Sequence, residues 1–522
     1  MKQHPYIRYA HALLCVENNL NSETTIEKIA PKYLLKELEN GISHFRVKAR
    51  AFKGMEEVGF DYINSEKGDT NNGIFLAGNI ICTDKAAGNF YKACKKTIGE
   101  LNKKEDDIQK FLSKQDDVSM SSMPTSGEFL GFSVNGGISR NSPKVLNYEN
   151  VLGLITGSTD LKPFIVTKTY SKKRYEYRNA TIIPDLDIEN LINFIKLFKG
   201  IQLKKNDGLM KGRVYRDLDK KGNLKTEKPM RPYLFNGNFP NAPRSTSLGA
   251  IALLGALGEI AKEEEYHDFG SAVLDSLKEA QMYMIQYGSL STFRYNHYIV
   301  ELAKENKLST IIDSAYYTVL LREGTRNSKN KDEYQKFDMF LSRFLMFFNA
   351  NTFRDFLAFR AEYSPYIKEL LITYFTKMEN ENLRIVQSAR MFGQWLNLAS
   401  YITATNELKG KEVEKNYNEK KNALKSKVLI ELESAAFSAK TTDALFAQLM
   451  TRVGRLSGLD APEGATEFME ATLSGDVTLG KAKNMIIAFM RLRNKKESKD
   501  NPPSNIDEDD ITESDISDNV SE

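Results

Sequence analysis

Asn236, Gly237, Asn238, Pro240, Asn241 and Pro243 alternate with the rings of Tyr233, Phe235 and Phe239 at the start of the stretch 231–263. Side-chain amides both donate and accept, which is the chemistry that reads base edges, and the guanidinium groups of Arg231 and Arg244 beside them suit phosphate. Gly, Asn and Pro at this density exclude a regular helix or a central strand, so the segment is a shaped loop. Turn asparagines also satisfy their own backbones, and on sequence alone both uses stand open.

Two further patterns bear on catalysis. His267 and Asp268 form the dipeptide that supplies two metal ligands in phosphohydrolases, but such a site needs more, and His4, His11, His44 and His297 fall at no recognisable spacing. The segment 475–482, GDVTLGKA, approaches a phosphate-binding loop. Ala482 stands where the hydroxyl for magnesium is required, and EFMEATLS before it has helical periodicity where a strand is needed. The chain has no G-x-S-x-G, H-E-x-x-H or G-x-G-x-x-G pattern, so nothing in the sequence argues for an enzyme.

The elements that must position the Asn-rich loop follow from periodicity. After capping residues Ser245, Thr246 and Ser247, Leu248, Ile251, Leu254, Leu257 and Ile260 recur at three-residue steps with Gly249, Ala252, Gly255, Ala256 and Gly258 between them. This predicts a buried helix that lets other backbones come close. Upstream, HALLCVEN and PKYLLKELENGI read as helices, HFRVKARAF and GIFLAGNIICT as strands, and 85–104 as a basic amphipathic helix. EFLGFSV followed by Asn135, Gly136 and Gly137 signals a hairpin with Arg140 on its exposed side.

Residues 162–184 read as strands on which Lys168, Lys172, Lys173, Arg174 and Arg178 interleave with Tyr170, Tyr175 and Tyr177. Such a surface tracks phosphates and stacks bases, or else is an edge strand guarded by lysines. A helix is expected at 186–200, then a basic run over 202–231 with Lys204, Lys205, Lys211 and Arg213, read as a long mobile loop or hairpin. From 245 onward the pattern is helical: 246–264, 268–286, 294–305, 309–323, 332–348, 351–377, 380–408, 415–438, 441–456, 464–473 and 476–494.

The expected fold is α+β: a mixed α/β amino-terminal domain with basic loops over 1–244, then a helical middle region over 245–379. A helical bundle over 380–497 follows, with Arg452, Arg455, Lys481 and Lys483 among its basic residues, and a disordered acidic tail over 498–522.

Composition fits that organisation. At 41% hydrophobic and 27% charged residues the chain is an ordinary globular one, long enough for about two to four cores. Eight acids and no base in 501–522, set against a net charge of +4, leave +12 on the preceding 500 residues, a balance that suits a polyanion. Cys15, Cys82 and Cys94 are far apart and support neither disulfides nor a zinc ribbon. No apolar run reaches a membrane span and no signal pattern opens the chain, so the expectation is a cytoplasmic protein away from membranes.

This layout, with the 231–263 stretch at its centre, resembles the large subunit of type I CRISPR Cascade effectors, most closely the type I-B forms. The resemblance implies a non-catalytic subunit without a cofactor that recognises the target-flanking motif (PAM) in double-stranded DNA. It would aid duplex opening, stabilise the R-loop and recruit the helicase-nuclease, while guide RNA pairing reads the sequence. Its implied partners are a guide RNA-containing complex with backbone, guide-processing and small subunits, the target duplex and the helicase-nuclease. The segment from 380 resembles the small subunit, with Met378 and Met391 as candidate internal starts for a shorter product.

Within that frame Asn236, Asn238 and Asn241 are expected to read the motif, with Arg244 on phosphate, and the hairpin at Asn135, Gly136 and Gly137 with Arg140 to wedge the duplex. Backbone contacts are expected from Lys172, Lys173, Arg174, Arg178, Lys204, Lys205, Lys211, Arg213, Arg452, Arg455, Lys481 and Lys483. The alternatives are a metal-dependent nucleic-acid enzyme centred on His267 and Asp268, and a helical protein-interaction scaffold.

Overall fold

The structure, a computed structural model, describes residues 3–66, 74–75, 84–118, 122–125, 129, 133–134, 137–138, 144–171, 174–218, 222–240, 242, 246–286, 289–305, 307–309, 368–410 and 416–492. They fall into two compact units, one ending at Ser309 and the other containing the residues from Lys368 onward.

The first unit opens with α1 (Pro5–Glu17), where Pro5 supplies a preset φ at the first position and His4 Nδ1 accepts the Tyr6 amide at 3.1 Å. Next come α2 (Pro31–Ser43), β1 (Arg46–Ala49), β2 (Glu57–Ile63), β3 (Ile74–Phe75), α3 (Asp84–Leu101) and α4 (Glu105–Ser113). The short strands β4 (Gln115–Asp117), β5 (Ser133–Val134), β6 (Gly137–Ile138) and β7 (Lys144–Leu146) lead to α5 (Asn147–Ser158). Then follow β8 (Phe164–Ser171), β9 (Arg174–Pro184), α6 (Ile188–Leu209), β10 (Lys211–Leu218) and β11 (Leu224–Pro229). The unit closes with α7 (Thr246–Ile260), α8 (His267–Glu279), β12 (Met282–Gln286), β13 (Ser289–Phe293) and α9 (His297–Lys304).

Its two larger sheets are antiparallel, with strand orders β11-β10-β2-β1-β3 and β13-β12-β9-β8. Helix α1, buried over most of its surface, packs on α5 and α6 at the centre. The close approaches expected of the small residues in α7 are present. A Cβ on Gly249 would meet Ile165, one on Gly255 would lie 3.2 Å from the Ser309 nitrogen, and one on Gly258 would come within 2.3 Å of the Ala303 oxygen.

One expectation is corrected. The helix predicted over 268–286 ends at Glu279, and Met282–Gln286 is a buried strand between β13 and β9, because a short apolar run packed on both sides pairs as readily as it coils. Of the two readings of 202–231 the hairpin is the one present: after the end of α6 come β10 and β11, registered from Val214 opposite Pro229 to Leu218 opposite Leu224. Helix α4, with Ile108 and Leu112 one turn apart on its buried side, is an element that the sequence reading did not name.

The second unit comprises α10 (Lys368–Thr373), a π-helical turn (Tyr374–Met378), α11 (Leu383–Glu407), α12 (Tyr417–Ser438), α13 (Thr442–Ser457), α14 (Thr466–Leu473) and α15 (Leu479–Met490). Helix α11 is the centre against which α12 to α15 pack. Gly393 gives α15 a close approach, its hypothetical Cβ lying 2.6 Å from Phe489 Cβ. The expected helices at 309–323 and 332–348, most of that at 351–377 and the acidic tail lie outside the described residues.

Candidate nucleic-acid interface

The Asn-rich segment is anchored by two adjacent apolar side chains. Leu234 enters the cluster of Val47, Val58, Phe60, Leu209 and Met210 under the five-stranded sheet, and Phe235 packs on Phe164 and Val166 of β8. One short segment therefore joins two hydrophobic clusters. Residues 236–238 lie along β8, the edge strand of its sheet: Val166 donates its amide to the Asn236 oxygen at 2.9 Å, and Asn238 donates to the Phe164 oxygen at 3.2 Å. Gly237 bridges Ile165, and a Cβ there would lie 2.6 Å from Ala242 Cβ. The loop thus covers the start of an edge that would otherwise stay unpaired.

The Asn238 side chain is engaged inside the protein. At 1% exposure, its Oδ1 accepts the Phe164 amide at 2.8 Å while Nδ2 donates to the oxygens of Asp160 and Lys162, each at 2.7 Å. Gln202 of α6 donates to the Asn238 carbonyl. An amide so enclosed has no edge to offer a base, which corrects the expected role of Asn238. Asn236 is half-buried one residue before Gly237, and Arg231 stacks on the Phe235 ring at 4.1 Å. Asn241 and Arg244 lie outside the described residues.

Lys162, which the sequence reading did not single out, is fully buried beneath this loop. Its ammonium donates to the oxygens of Gly157 at 2.8 Å and Thr159 at 2.9 Å, so it caps the carboxyl end of α5. Burial brings its pKa down from the usual 10.5 to about 7, while the nearby Asp160 charge works against that shift.

The β8–β9 hairpin extends away from the clamp in unbroken register to Ser171 opposite Arg174. Lys168 stands opposite Tyr177 and Tyr170 opposite Tyr175. Arg178 is half-buried opposite Thr167, and the tip residues Lys172 and Lys173 lie outside the described residues. The short strands β5 and β6 pair Ser133 with Ile138 and Val134 with Gly137, as the hairpin signal requires, with Asn135, Gly136 and Arg140 outside the described residues.

The remaining basic positions divide. Exposed Lys211 sits opposite Gly59, and half-buried Arg213 opposite Glu57. They alternate with Gly212 and Val214, which face the Leu234 cluster, so the sheet separates them from the Asn-rich loop. Lys204 pairs with Glu263 and lies 5.7 Å from the Tyr266 ring, while nothing beyond the backbone is described for Lys205.

In the second unit Lys481 binds Glu381 Oε1 and the Glu379 oxygen, each at 2.7 Å, and Lys483 caps α12 through the oxygens of Phe437 at 3.0 Å and Ala439 at 2.5 Å. Both lysines are engaged with the bundle. Arg452 makes a long contact to Glu431 at 3.4 Å and Arg455 is exposed.

Among the described residues no group of three or more His, Cys, Asp or Glu is placed to hold a metal ion. His267 and Asp268 are exposed at the start of α8. Thr478 caps α15 where the phosphate-loop reading would have placed a ligand. No described helix is long and apolar enough to cross a membrane.

An α+β unit with basic hairpins, joined in sequence to a helical bundle, is the class that fold and site define. The pattern of the family described as CRISPR-associated protein Csp2 matches residues 4–493, and the chain belongs to that family. It is thus a CRISPR-associated subunit of the Cascade type. No curated protein and no solved structure matches it.

Proposed function

We propose that this chain is the non-catalytic large subunit of a type I, I-B-like, CRISPR surveillance complex. It recognises the motif flanking the target in double-stranded DNA, aids opening of the duplex, stabilises the R-loop and recruits the helicase-nuclease. The family match over 4–493 carries the reading. The loop at Asn236 supports it: a polar segment that directly follows two side chains set in apolar clusters, and that runs along the start of a basic–aromatic hairpin, presents donors on a backbone already held.

With Asn238 enclosed, motif reading falls to Asn236, Asn241 and Arg244, and strand separation to the hairpin at Asn135, Gly136 and Gly137 with Arg140. Backbone contacts fall to Lys172, Lys173, Arg174, Arg178, Lys205, Lys211, Arg213, Arg452 and Arg455.

A shorter product starting inside the chain is part of the same proposal, and the bundle favours Met378 as its start. That start keeps α11 whole, whereas a start at Met391 removes Ser388, whose Oγ donates to the Gly464 oxygen at 2.7 Å and accepts the Phe468 amide at 3.0 Å. A Met378→Leu variant should lose the shorter band that wild type gives.

The experiment that tests the function is purification of the chain from its native cell at gentle salt, with sequencing of the RNA that accompanies it. Short RNAs of uniform length with a shared repeat-derived end are the expected result. Random fragments or no RNA would remove the reading.

A further inference from the structure

The outer side of α12 combines apolar and basic groups in one row. Lys420, Ala423, Lys427, Ile430, Ser434 and Phe437 follow one another at steps of three and four residues, and all six are exposed. Val428, Leu432 and Ala435, on the other side of the helix, are buried in the bundle. We propose that the exposed row is the docking surface for the chain's own acidic segment, 506–522, which sets its aliphatic side chains on Ile430 and Phe437 and its carboxylates on Lys420 and Lys427.

Phe437 is 51% exposed and Ile430 39%, two turns apart on one stripe. Single exposed apolar residues are ordinary, but an aromatic ring and a branched aliphatic in register with two lysines form a strip that an acidic amphipathic segment can cover. The chain contains such a segment. Residues 506–522, IDEDDITESDISDNVSE, carry eight acids and no base around Ile506, Ile511, Ile516 and Val520. Acids alternating with aliphatics match both kinds of group in the row, and too little of the segment is apolar for it to build a core of its own.

The end of α15 delivers the segment to this row. Lys483 of α15 donates to the oxygens of Phe437 and Ala439, and Arg491, just past the end of α15, pairs with Glu433 at 2.6 Å, so α15 runs back along α12. Glu433 lies one turn before Phe437, which places residue 492 beside the apolar end of the row. Lys427 is about 9 Å from Glu433 along the helix axis and Lys420 about 20 Å. Fifteen residues separate Leu492 from Asp507, and a flexible chain of that length spans about 21 Å. The acids from Asp507 to Asp510 are thus tethered within reach of both lysines, at an effective concentration of about millimolar. Exposed ion pairs contribute little singly, so the apolar contact anchors the segment and the charges orient it. While docked it covers Lys420 and Lys427, and a polyanion has to displace it before using that side of α12.

The test uses the full chain in two arms. A carbodiimide joins a carboxylate to an amine where the two touch, and mass spectrometry of the single-chain band should find a carboxylate of 507–510 coupled to Lys420 or Lys427. These links should vanish in about 1 M salt, where the screening length falls to about 3 Å. In the second arm a labelled peptide of residues 506–522 is followed by fluorescence anisotropy. It should bind wild type poorly, because the row is already covered, and about tenfold more tightly to the Asp507→Asn/Glu508→Gln/Asp509→Asn/Asp510→Asn chain.

Adding Phe437→Ser or Lys427→Glu to that chain should abolish the gain. Both side chains are exposed, so an unchanged unfolding midpoint is expected and verifies an intact bundle. Links confined to Lys495, Lys496 and Lys499, or peptide binding indifferent to Phe437→Ser and Lys427→Glu, would overturn the docking. Links found only in a two-chain band would overturn it as well, by assigning the row to the segment of another copy. Neither arm contains nucleic acid, so the outcome is independent of the proposed function.

Discussion

Asn238 Oδ1 accepts the main-chain amide of Phe164 at 2.8 Å, which ties the Asn-rich loop to the first residue of β8 across 74 positions of sequence. The same side chain donates to the oxygens of Asp160 and Lys162, so one amide ties the loop to three residues of the 160–164 segment. It is a structural pin beside the proposed reader, not the reader itself.

Asn238→Ala should therefore act on stability first. It leaves a buried amide and two carbonyls unpartnered, each costing about 1–3 kcal/mol, so a loss of about 3 kcal/mol or more is expected in denaturant unfolding. Asn236→Ala should cost less stability than Asn238→Ala while weakening binding to a motif-bearing duplex. Asn238→Ala that unfolds like wild type but fails to bind DNA would return Asn238 to the reader's role.

Much of the loop was legible in the sequence. Gly237 and the prolines required a shaped segment, and the glycines of α7 required close neighbours; Ile165, Ser309 and Ala303 are those neighbours. Which asparagine would be enclosed was not legible, because Phe164 is remote in sequence and its free amide exists only where β8 becomes a sheet edge. Lys162 was missed for the same reason: a lysine between turns looks solvated until α5 is seen to end above it. Helix α5 itself was missed because NVLGLITG has no polar face to reveal a helical period.

His4 supplies a pH signature. It is buried, with Nδ1 accepting the Tyr6 amide and Nε2 donating to the Pro124 oxygen at 2.8 Å, an arrangement that requires the neutral ring. Burial lowers its pKa from 6.5 to about 4, against a smaller opposite effect of the Pro124 bond. Between those values the unfolded chain takes up a proton that the fold refuses, so stability is full above pH 6.5 and falls as pH drops towards 4, by about 3 kcal/mol in all. His4→Asn keeps a helix cap and cannot titrate. Its unfolding free energy should lose less than that of wild type over this window, and parallel pH profiles would refute the assignment.

The lysines of α15 divide stability from binding. Lys481→Met gives up charge-assisted bonds to Glu381 and the Glu379 oxygen, and Lys483→Met uncaps α12, so each should cost about 1–2 kcal/mol in urea unfolding with nucleic-acid affinity unchanged. Exposed Arg455 should behave in the opposite sense: Arg455→Gln leaves stability unaltered and reduces the salt slope of binding by about 1. A lowered salt slope in Lys481→Met with normal stability would reinstate Lys481 as a phosphate contact.

Two glycine substitutions separate helix propensity from packing. Gly454 lies inside α13 with nothing within 4 Å of a hypothetical Cβ, so Gly454→Ala should gain about 0.5–1 kcal/mol by reducing the freedom of the unfolded chain. Gly258 lies inside α7 with the Ala303 oxygen 2.3 Å and the Ala303 carbonyl carbon 2.7 Å from the same hypothetical atom. Backbone cannot rotate aside as a side chain can, so α9 must move off α7. An overpacking cost of about 1–3 kcal/mol then outweighs the propensity gain of about 1 kcal/mol. Gly258→Ala should accordingly lower the thermal midpoint while Gly454→Ala raises it. A stabilised Gly258→Ala protein would mean that α7 and α9 are not in the close contact on which the packing of the first unit depends.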